Sequence, residues 1–331
     1  MSKKYLVWID AYRGLLILLV ILAHMNVRVH AFDGILIPAF FFISGYLLNP
    51  SYTNFPHFFK HRFRQIIVPY ISFFLIAGLL TLLFYSFTGK EVSVLDSILA
   101  MLYGSFSVDM QLSKSLWFVT ALFTTEIYFF FIKKYIAKRI KVMGVLLLFS
   151  ALGYATTFLD FRLPWGVDIA CSVVLFYGMG YFVKEYELIK YIEKQAQYIK
   201  VFFMMLLLAI SYFFSMDISL YVFVLNTISH PIYTLLSGIF GVIATLYLFQ
   251  MSFINRNVLL VYLGKNTFII LAFHELVMNI SKKIIFSLYG HTVKEGGLVE
   301  LTLYVLITLT LLVPVIEFIN RVLPFILNRK Q

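Results

Sequence analysis

The sequence predicts an all-α protein, a polytopic bundle of about ten transmembrane helices with no soluble domain. Hydrophobic residues make up 61% of the 331 residues and charged residues 13%. In soluble domains roughly 45–50% of the residues are apolar and about 25% are charged. The mean hydropathy is +0.91, and the apolar runs are continuous, unlike the alternation of a membrane β-barrel. This composition excludes a soluble enzyme and a disordered chain, and the single cysteine, Cys171, excludes a disulfide or a cysteine metal cluster.

Ten segments are apolar over about the 20 residues that a helix needs to cross a bilayer. We expect them at residues 6–26, 34–49, 67–88, 115–133, 142–159, 166–184, 200–216, 233–252, 262–286 and 300–320. The first is not typical of a signal peptide, because Asp10 and Arg13 lie where the apolar region should begin, so we expect it to be retained. The second is short. Residues 220–228 are also apolar, and we interpret them as part of an outer loop or a re-entrant piece.

The loops between these segments are short, 89–114 and 185–199 among them. A fused soluble domain needs more residues than either loop offers. The sequence also shows no convincing internal repeat. We therefore expect a single membrane domain over residues 1–331 that contains the whole function.

The basic residues predict an orientation in the membrane. With Met1 in the cytoplasm, 19 of the 27 basic residues lie in inner loops or at inner ends of spans, seven lie in outer loops or towards outer ends, and only Arg13 is counted as part of a span. Such an excess on one side follows the positive-inside rule. It explains most of the net charge of +11 without nucleic acid as a partner. Both termini are then cytoplasmic, and we expect the cytoplasmic (inner) membrane.

The first span carries three ionisable residues, Asp10, Arg13 and His24. Arg13 and His24 are eleven positions apart, which places them on one helix face within about 20° and roughly 16 Å apart along the axis. Asp10 precedes Arg13 by three positions and can pair with it. Ionisable residues inside a span indicate a functional site. The alternative is a buried Asp10–Arg13 pair near one interface, with His24 reaching the other.

Five motifs along the chain carry a resemblance to a known family. They are DAYRG (10–14) with His24, PAFFFISGY (38–46), RFRQIIVPY (62–70), SLWFV (115–119), and GKN (264–266) with LAFH (271–274). In this order they resemble the acyltransferase-3 membrane acyltransferases, especially the branch similar to fucose 4-O-acetylases. That branch often has a histidine before the proline of the second motif, where this chain has Ile37. This difference concerns the part of the site that is expected to bind the acceptor.

The resemblance implies an integral-membrane O-acyltransferase, most simply an O-acetyltransferase, with acetyl-CoA as the acyl donor. The acceptor would be a hydroxyl of a surface glycan or a lipid-linked sugar. A histidine suits the general base because its ordinary pKa is near 6.5, and arginine suits the phosphates of coenzyme A. The predicted site residues are, for catalysis, His24 and Asp10; for the donor, Arg13, Arg62, Arg64, Ser44 and Gly45; and for the acceptor, Trp117, Glu126, His274 and Glu275.

Each assignment has a structural alternative. Arg62 and Arg64 also fit ordinary positive-inside charge, Gly45 fits close helix packing, and Trp117 fits an interfacial aromatic belt. No metal is expected, because His57 and His61 lie among lysine and arginine.

Another class of function remains open. A transporter or flippase for a glycan or lipid-linked sugar would also suit ten spans with buried Arg, Glu and His. Such transporters commonly show repeats, and a non-catalytic scaffold would not need the ionisable residues of the first span. The sequence leaves the oligomeric state open.

Overall fold

The structure is a computed structural model that describes residues 6–25, 32–49, 52–105, 112–159, 161–216, 230–290 and 297–327. The predicted all-α class is confirmed, because the regular structure of this part of the chain is helical. The helices are α1 Val7–His24, α2 Leu36–Leu47, α3 Phe55–Arg62, α4 Val68–Thr88, α5 Val94–Tyr103, α6 Trp117–Tyr135, α7 Arg139–Ala155, α8 Val167–Glu185, α9 Ile189–Glu193, α10 Gln197–Ser215, α11 Pro231–Phe249, α12 Ser252–Asn255, α13 Val258–Lys265, α14 Thr267–Tyr289 and α15 Leu298–Val322.

Among the described residues, eight helical segments are long and apolar enough to cross a membrane. Each coincides with one of the ten predicted segments. They are Val7–His24, Phe55–Thr88, Lys114–Tyr135, Arg139–Phe158, Pro164–Glu185, Gln197–Ser215, Pro231–Phe249 and Leu298–Val322. The prediction of a polytopic helical membrane protein is therefore confirmed.

The other two predicted segments are helical but differ from the expectation. The second, α2, has only 12 residues, or about 18 Å, which is less than the roughly 30 Å of a hydrocarbon core. The ninth is two helices, α13 and α14, because Asn266 between them leaves the helical conformation with φ −111° and ψ 15°. The predicted loop 89–114 contains α5. Residues 220–228 lie outside the described residues.

The chain forms two compact units, each built from two stretches of sequence. The first comprises Met1–Lys60 and Thr120–Lys265, and the second His61–Val119 and Asn266–Gln331. In the first unit α1 packs against α13, α2 and α7 pack against α8, and α10 packs against α11. In the second unit α14 packs against α15, α4 and the 3-10 turn Lys114–Leu116. The ionisable residues of α1 thus belong to the first unit, and His274 and Glu275 belong to the second.

Two glycines bring α1 and α13 into backbone contact. A Cβ atom on Gly14 would overlap the carbonyl oxygen of Leu260, and one on Gly264 would overlap that of Asp10. Small residues allow this close approach where helices pack in a membrane. The packing fixes α1 next to the GKN motif, since Gly264 is its first residue.

We expect Gly264→Ala to destabilise the protein, because the added methyl group meets backbone that cannot rotate away. Overpacking of this kind costs about 1–3 kcal/mol. The measurement is thermal unfolding of the purified protein in detergent. Gly144→Ala is the matched control, since a Cβ at Gly144 meets nothing within 4 Å. Equal melting temperatures for the two variants would contradict the prediction.

Candidate active site

Helix α1 carries Asp10, Arg13 and His24 on one uninterrupted run of α-helix, Val7–His24. The continuous helix confirms the geometry expected from the sequence, with Arg13 and His24 on one face and roughly 16 Å apart. Asp10 is 9% exposed, and Arg13 and His24 are partly buried. The ion pair between Asp10 and Arg13 stays a prediction.

Tyr12 holds α1 against α11 of the first unit. Its hydroxyl is 2.6 Å from Thr245 Oγ1, and its ring packs edge-on against Phe249 with 4.8 Å between centroids. Tyr12 is fully buried. Together with the glycine contacts to α13, these interactions fix the rotation of α1 about its axis and so determine where Arg13 and His24 point.

Ser44 and Gly45 lie in α2, and both have structural roles. The Ser44 hydroxyl donates to the carbonyl oxygen of Phe40 at 2.8 Å, a bond within its own helix. A Cβ on Gly45 would overlap the carbonyl oxygen of Tyr177 in α8. Gly45 therefore allows α2 to pack closely on α8, and the assignment of Ser44 and Gly45 to the acyl-CoA path stays a prediction.

Arg62 and Arg64 lie at a π-helical segment, Phe63–Ile67, between α3 and α4. The combined helix Phe55–Thr88 has 34 residues, or about 51 Å, well over the roughly 30 Å of a hydrocarbon core. Its basic N-terminal part must therefore extend beyond the apolar layer. Arg62 Nη1 donates to Gln65 Oε1 at 2.9 Å, and Arg64 is exposed. Single π turns inside α-helices often occur at functional sites.

A cluster of three side chains in the second unit joins the turn Lys114–Leu116 to α14. The backbone N–H of Ser115 donates to Glu275 Oε1 at 3.0 Å, and the Ser115 hydroxyl donates to the same oxygen. Ser115 Oγ lies 3.5 Å from His274 Nε2. We call Ser115, His274 and Glu275 the Ser115 cluster. It places a carboxylate at the turn that leads into α6, where backbone N–H groups favour negative charge.

The hydrogen bonds of His274 define its tautomer. His274 is fully buried, and its Nδ1 lies 3.0 Å from the carbonyl oxygen of Ile270 and 3.1 Å from that of Leu271. Because a carbonyl oxygen only accepts hydrogen bonds, we assign the ring proton to Nδ1, which makes Nε2 the basic nitrogen.

The Ser115 cluster differs from a nucleophilic triad. In a Ser–His–carboxylate relay, the carboxylate holds Nδ1 of the histidine and the serine donates to Nε2. In this protein, backbone carbonyls hold His274 Nδ1, and Glu275 accepts the hydrogen bond from Ser115. The Ser115 hydroxyl thus donates to a carboxylate, whereas the serine of the relay donates to a histidine.

A family model described as an acyltransferase domain matches residues 6–317, nearly the whole chain. The chain belongs to the acyltransferase-3 family. All five motifs lie within the matched residues, so the resemblance is confirmed at the level of the family, and the fucose 4-O-acetylase-like branch stays a prediction. Comparison with curated proteins and with solved structures finds no match. This member of the acyltransferase-3 family is thus a multi-pass membrane acyltransferase.

Two further predicted residues of this acyltransferase lie on α6. Glu126 is 1% exposed, so this mid-span carboxylate is enclosed by protein. Trp117 is the first residue of α6 and is also buried. It follows the turn that carries Ser115, so Trp117 lies two positions from the serine that binds Glu275.

Sequence reasoning missed Ser115 as a site residue. The signal was present, because Ser115 opens the SLWFV motif of the acyltransferase and precedes Trp117 by two positions. A serine alone does not indicate which carboxylate it binds, and Glu275 is 160 positions away. The structure brings together Ser115, His274 and Glu275 within the second unit. Asp10, Arg13 and His24 belong to the first unit, where they are spaced along α1.

Proposed function

We propose that this acyltransferase transfers an acetyl group from acetyl-CoA to a hydroxyl of a surface glycan or a lipid-linked sugar, with His24 as the general base. The observation that carries the proposal is the unbroken α1, which aligns Arg13 and His24 on one face. The arginine suits the phosphates of the donor, and the imidazole suits removal of a proton from the acceptor.

The reaction that these residues support is direct transfer. His24 accepts the proton of the acceptor hydroxyl while the hydroxyl oxygen attacks the thioester carbonyl carbon. The new C–O bond forms, the C–S bond breaks, and coenzyme A leaves as a thiolate that then takes up a proton. The hydrogen bonding of the Ser115 cluster favours this route over an acyl-serine intermediate, because the Ser115 hydroxyl donates to Glu275 rather than to His274.

The residues proposed to contact the donor are chosen by their positive charge, because acetyl-CoA carries phosphates. Arg13 lies within α1, where the positive-inside rule does not require a cation. We assign Arg13 to the phosphates of acetyl-CoA, as we do Arg62 and Arg64 in the part of the combined helix that extends beyond the apolar layer. Ser44 and Gly45 complete the proposed donor residues.

The acceptor contacts follow from hydrogen-bonding capacity. Glu275 offers a carboxylate and His274 an imidazole nitrogen, which are acceptors for sugar hydroxyl groups. Trp117 and Glu126 complete the proposed acceptor residues. In this proposal Ser115 orients the Glu275 carboxylate through its two hydrogen bonds.

We expect Ser115→Ala to raise the KM for the glycan acceptor by about tenfold, the effect of losing one hydrogen bond to a charged group. The KM for acetyl-CoA should change little. Ser115→Thr, which retains the hydroxyl, should restore the acceptor KM, and Ser113→Ala removes a hydroxyl two residues earlier as the control. A fall in kcat without any change in the acceptor KM would contradict this role for Ser115.

The proposed activity is tested by incubating the purified protein with radiolabelled acetyl-CoA and a panel of glycans. We expect label in the glycan and release of free coenzyme A. Cells that lack the protein should export the surface glycan normally but without acetyl groups. Absence of the glycan from the surface would instead support the transporter or flippase.

The proposed use of cytoplasmic acetyl-CoA requires both termini in the cytoplasm. In a Cys171→Ala background, cysteines placed near residues 136 and 195 should be shielded from an impermeant thiol reagent in intact cells. A cysteine near residue 225, which lies outside the described residues, should react. The reverse labelling pattern would overturn the orientation and the proposed donor side with it.

A further inference from the structure

The N-terminal end of α7 carries a dense positive charge. Five cations and no acidic residue lie between Lys133 and Lys141. Three of them, Lys138, Arg139 and Lys141, lie at the start of α7 and are exposed. We call these three residues the basic end of α7. These cations lie on a small surface of the first unit. An inference from them is independent of the proposed acyl transfer.

Tyrosine rings at the C-terminal end of α8, where Tyr186 is the C-cap residue, lie close to two of the five cations. The Arg139 guanidinium lies 4.9 Å from the ring centroid of Tyr186, and Lys133 Nζ lies 4.9 Å from that of Tyr181. Glu185 Oε1 is 3.8 Å from Arg139 Nη2, so one acidic residue offsets only part of the charge. Tyrosines of this kind are typical of the membrane–water interface.

The position of these cations on α7 calls for an anion. The N-terminus of a helix is its positive end, and cations there are unfavourable. Lys138 is the N-cap residue, and its side chain makes no capping hydrogen bond. An anionic group bound at this end would offset both the three side-chain charges and the helix dipole.

An apolar face continues directly from the basic end of α7. Ile140 is 80% exposed, and Leu147 and Leu148 are also exposed. Gly144 lies between them, and a Cβ there would meet nothing within 4 Å. Residues at i, i+4, i+7 and i+8 share one helix face. A free phosphate or a nucleotide would leave this face unused, whereas a phospholipid has an acyl chain to place along it.

We propose that the basic end of α7 binds the headgroup of an anionic phospholipid, with an acyl chain lying along Ile140, Gly144 and Leu147. Basic clusters at the ends of transmembrane helices recognise anionic lipids in this way. The exposed glycine provides the space for the chain, and the cations provide the selectivity for negative charge.

The test titrates the full-length protein in detergent with phosphatidylglycerol or with phosphatidylcholine of the same acyl chains, and native mass spectrometry counts the bound lipid. The wild type should bind phosphatidylglycerol more tightly than phosphatidylcholine. The triple variant Lys138→Gln, Arg139→Gln, Lys141→Gln should bind phosphatidylglycerol about tenfold more weakly or worse. A control triple variant, Lys190→Gln, Lys194→Gln, Arg256→Gln, removes the same number of charges from the first unit and should bind as the wild type does.

Gly144→Leu fills the proposed chain position without changing any charge, and it should also weaken phosphatidylglycerol binding several-fold. It keeps the proposal testable if the triple variant does not fold. Equal binding of the two lipids by the wild type, or equal loss in the two triple variants, would overturn the proposal. Displacement of the lipid by equimolar glycerol 3-phosphate would also overturn it, because the site would then recognise a free phosphate.

Discussion

Replacing His24 with alanine is expected to lower acetylation of the glycan by roughly 10²–10⁴-fold, the usual contribution of a general base. Acetyl-CoA affinity should be retained, because the proposed donor contacts come from the arginines and not from this imidazole. The wild-type rate should fall as the pH is lowered, since a protonated imidazole cannot accept a proton. The measurement combines transfer of radiolabel with calorimetry of donor binding.

Two further variants test whether the effect comes from proton transfer by His24. His24→Gln preserves hydrogen bonding at the end of α1 but cannot take up a proton, so it should be as inactive as His24→Ala. His230→Ala removes an exposed histidine at the start of α11 and should leave the rate unchanged. Near wild-type acetylation by His24→Ala would remove His24 from the mechanism, and His274, with its basic Nε2, would be the next residue to replace.

Replacing Arg13 with alanine is expected to weaken acetyl-CoA binding by about 10–150-fold, which corresponds to about 1.5–3 kcal/mol for one charge-assisted hydrogen bond. The helix should remain intact, because Tyr12, Gly14 and Gly264 hold α1 through contacts that do not involve the Arg13 side chain. Isothermal calorimetry of the purified protein with acetyl-CoA measures the change.

A conservative variant separates charge from geometry at Arg13. Arg13→Lys keeps the charge but loses the planar, bidentate guanidinium, so its affinity should lie between those of the wild type and Arg13→Ala. Arg256→Ala, at an exposed position, is the control and should bind as the wild type does. Donor binding unchanged in Arg13→Ala would leave Arg13 as a structural partner of Asp10.

The second and ninth predicted spans differ in the structure from the other eight, because α2 is as short as the sequence indicated and the ninth is divided at Asn266. Both segments are apolar, and apolar length was the signal used to place them. The break lies at Asn266, two residues after Gly264, whose backbone lies against Asp10, and α14 begins at Thr267. The length of an apolar run does not indicate such a break in the helix. The GKN motif lies at the break, which its glycine and asparagine mark in the sequence.

The sequence by itself determined the all-α class, eight of the ten predicted membrane spans and the common face of Arg13 and His24. Composition, apolar length and the helical repeat are local properties, and no distant contact is needed to read them. Only the tertiary structure decided that Gly45 lies against the backbone of Tyr177 and that Ser115 binds Glu275. These contacts join residues 132 and 160 positions apart along the chain. Their formation depends on how whole helices pack, which no local pattern of residues specifies.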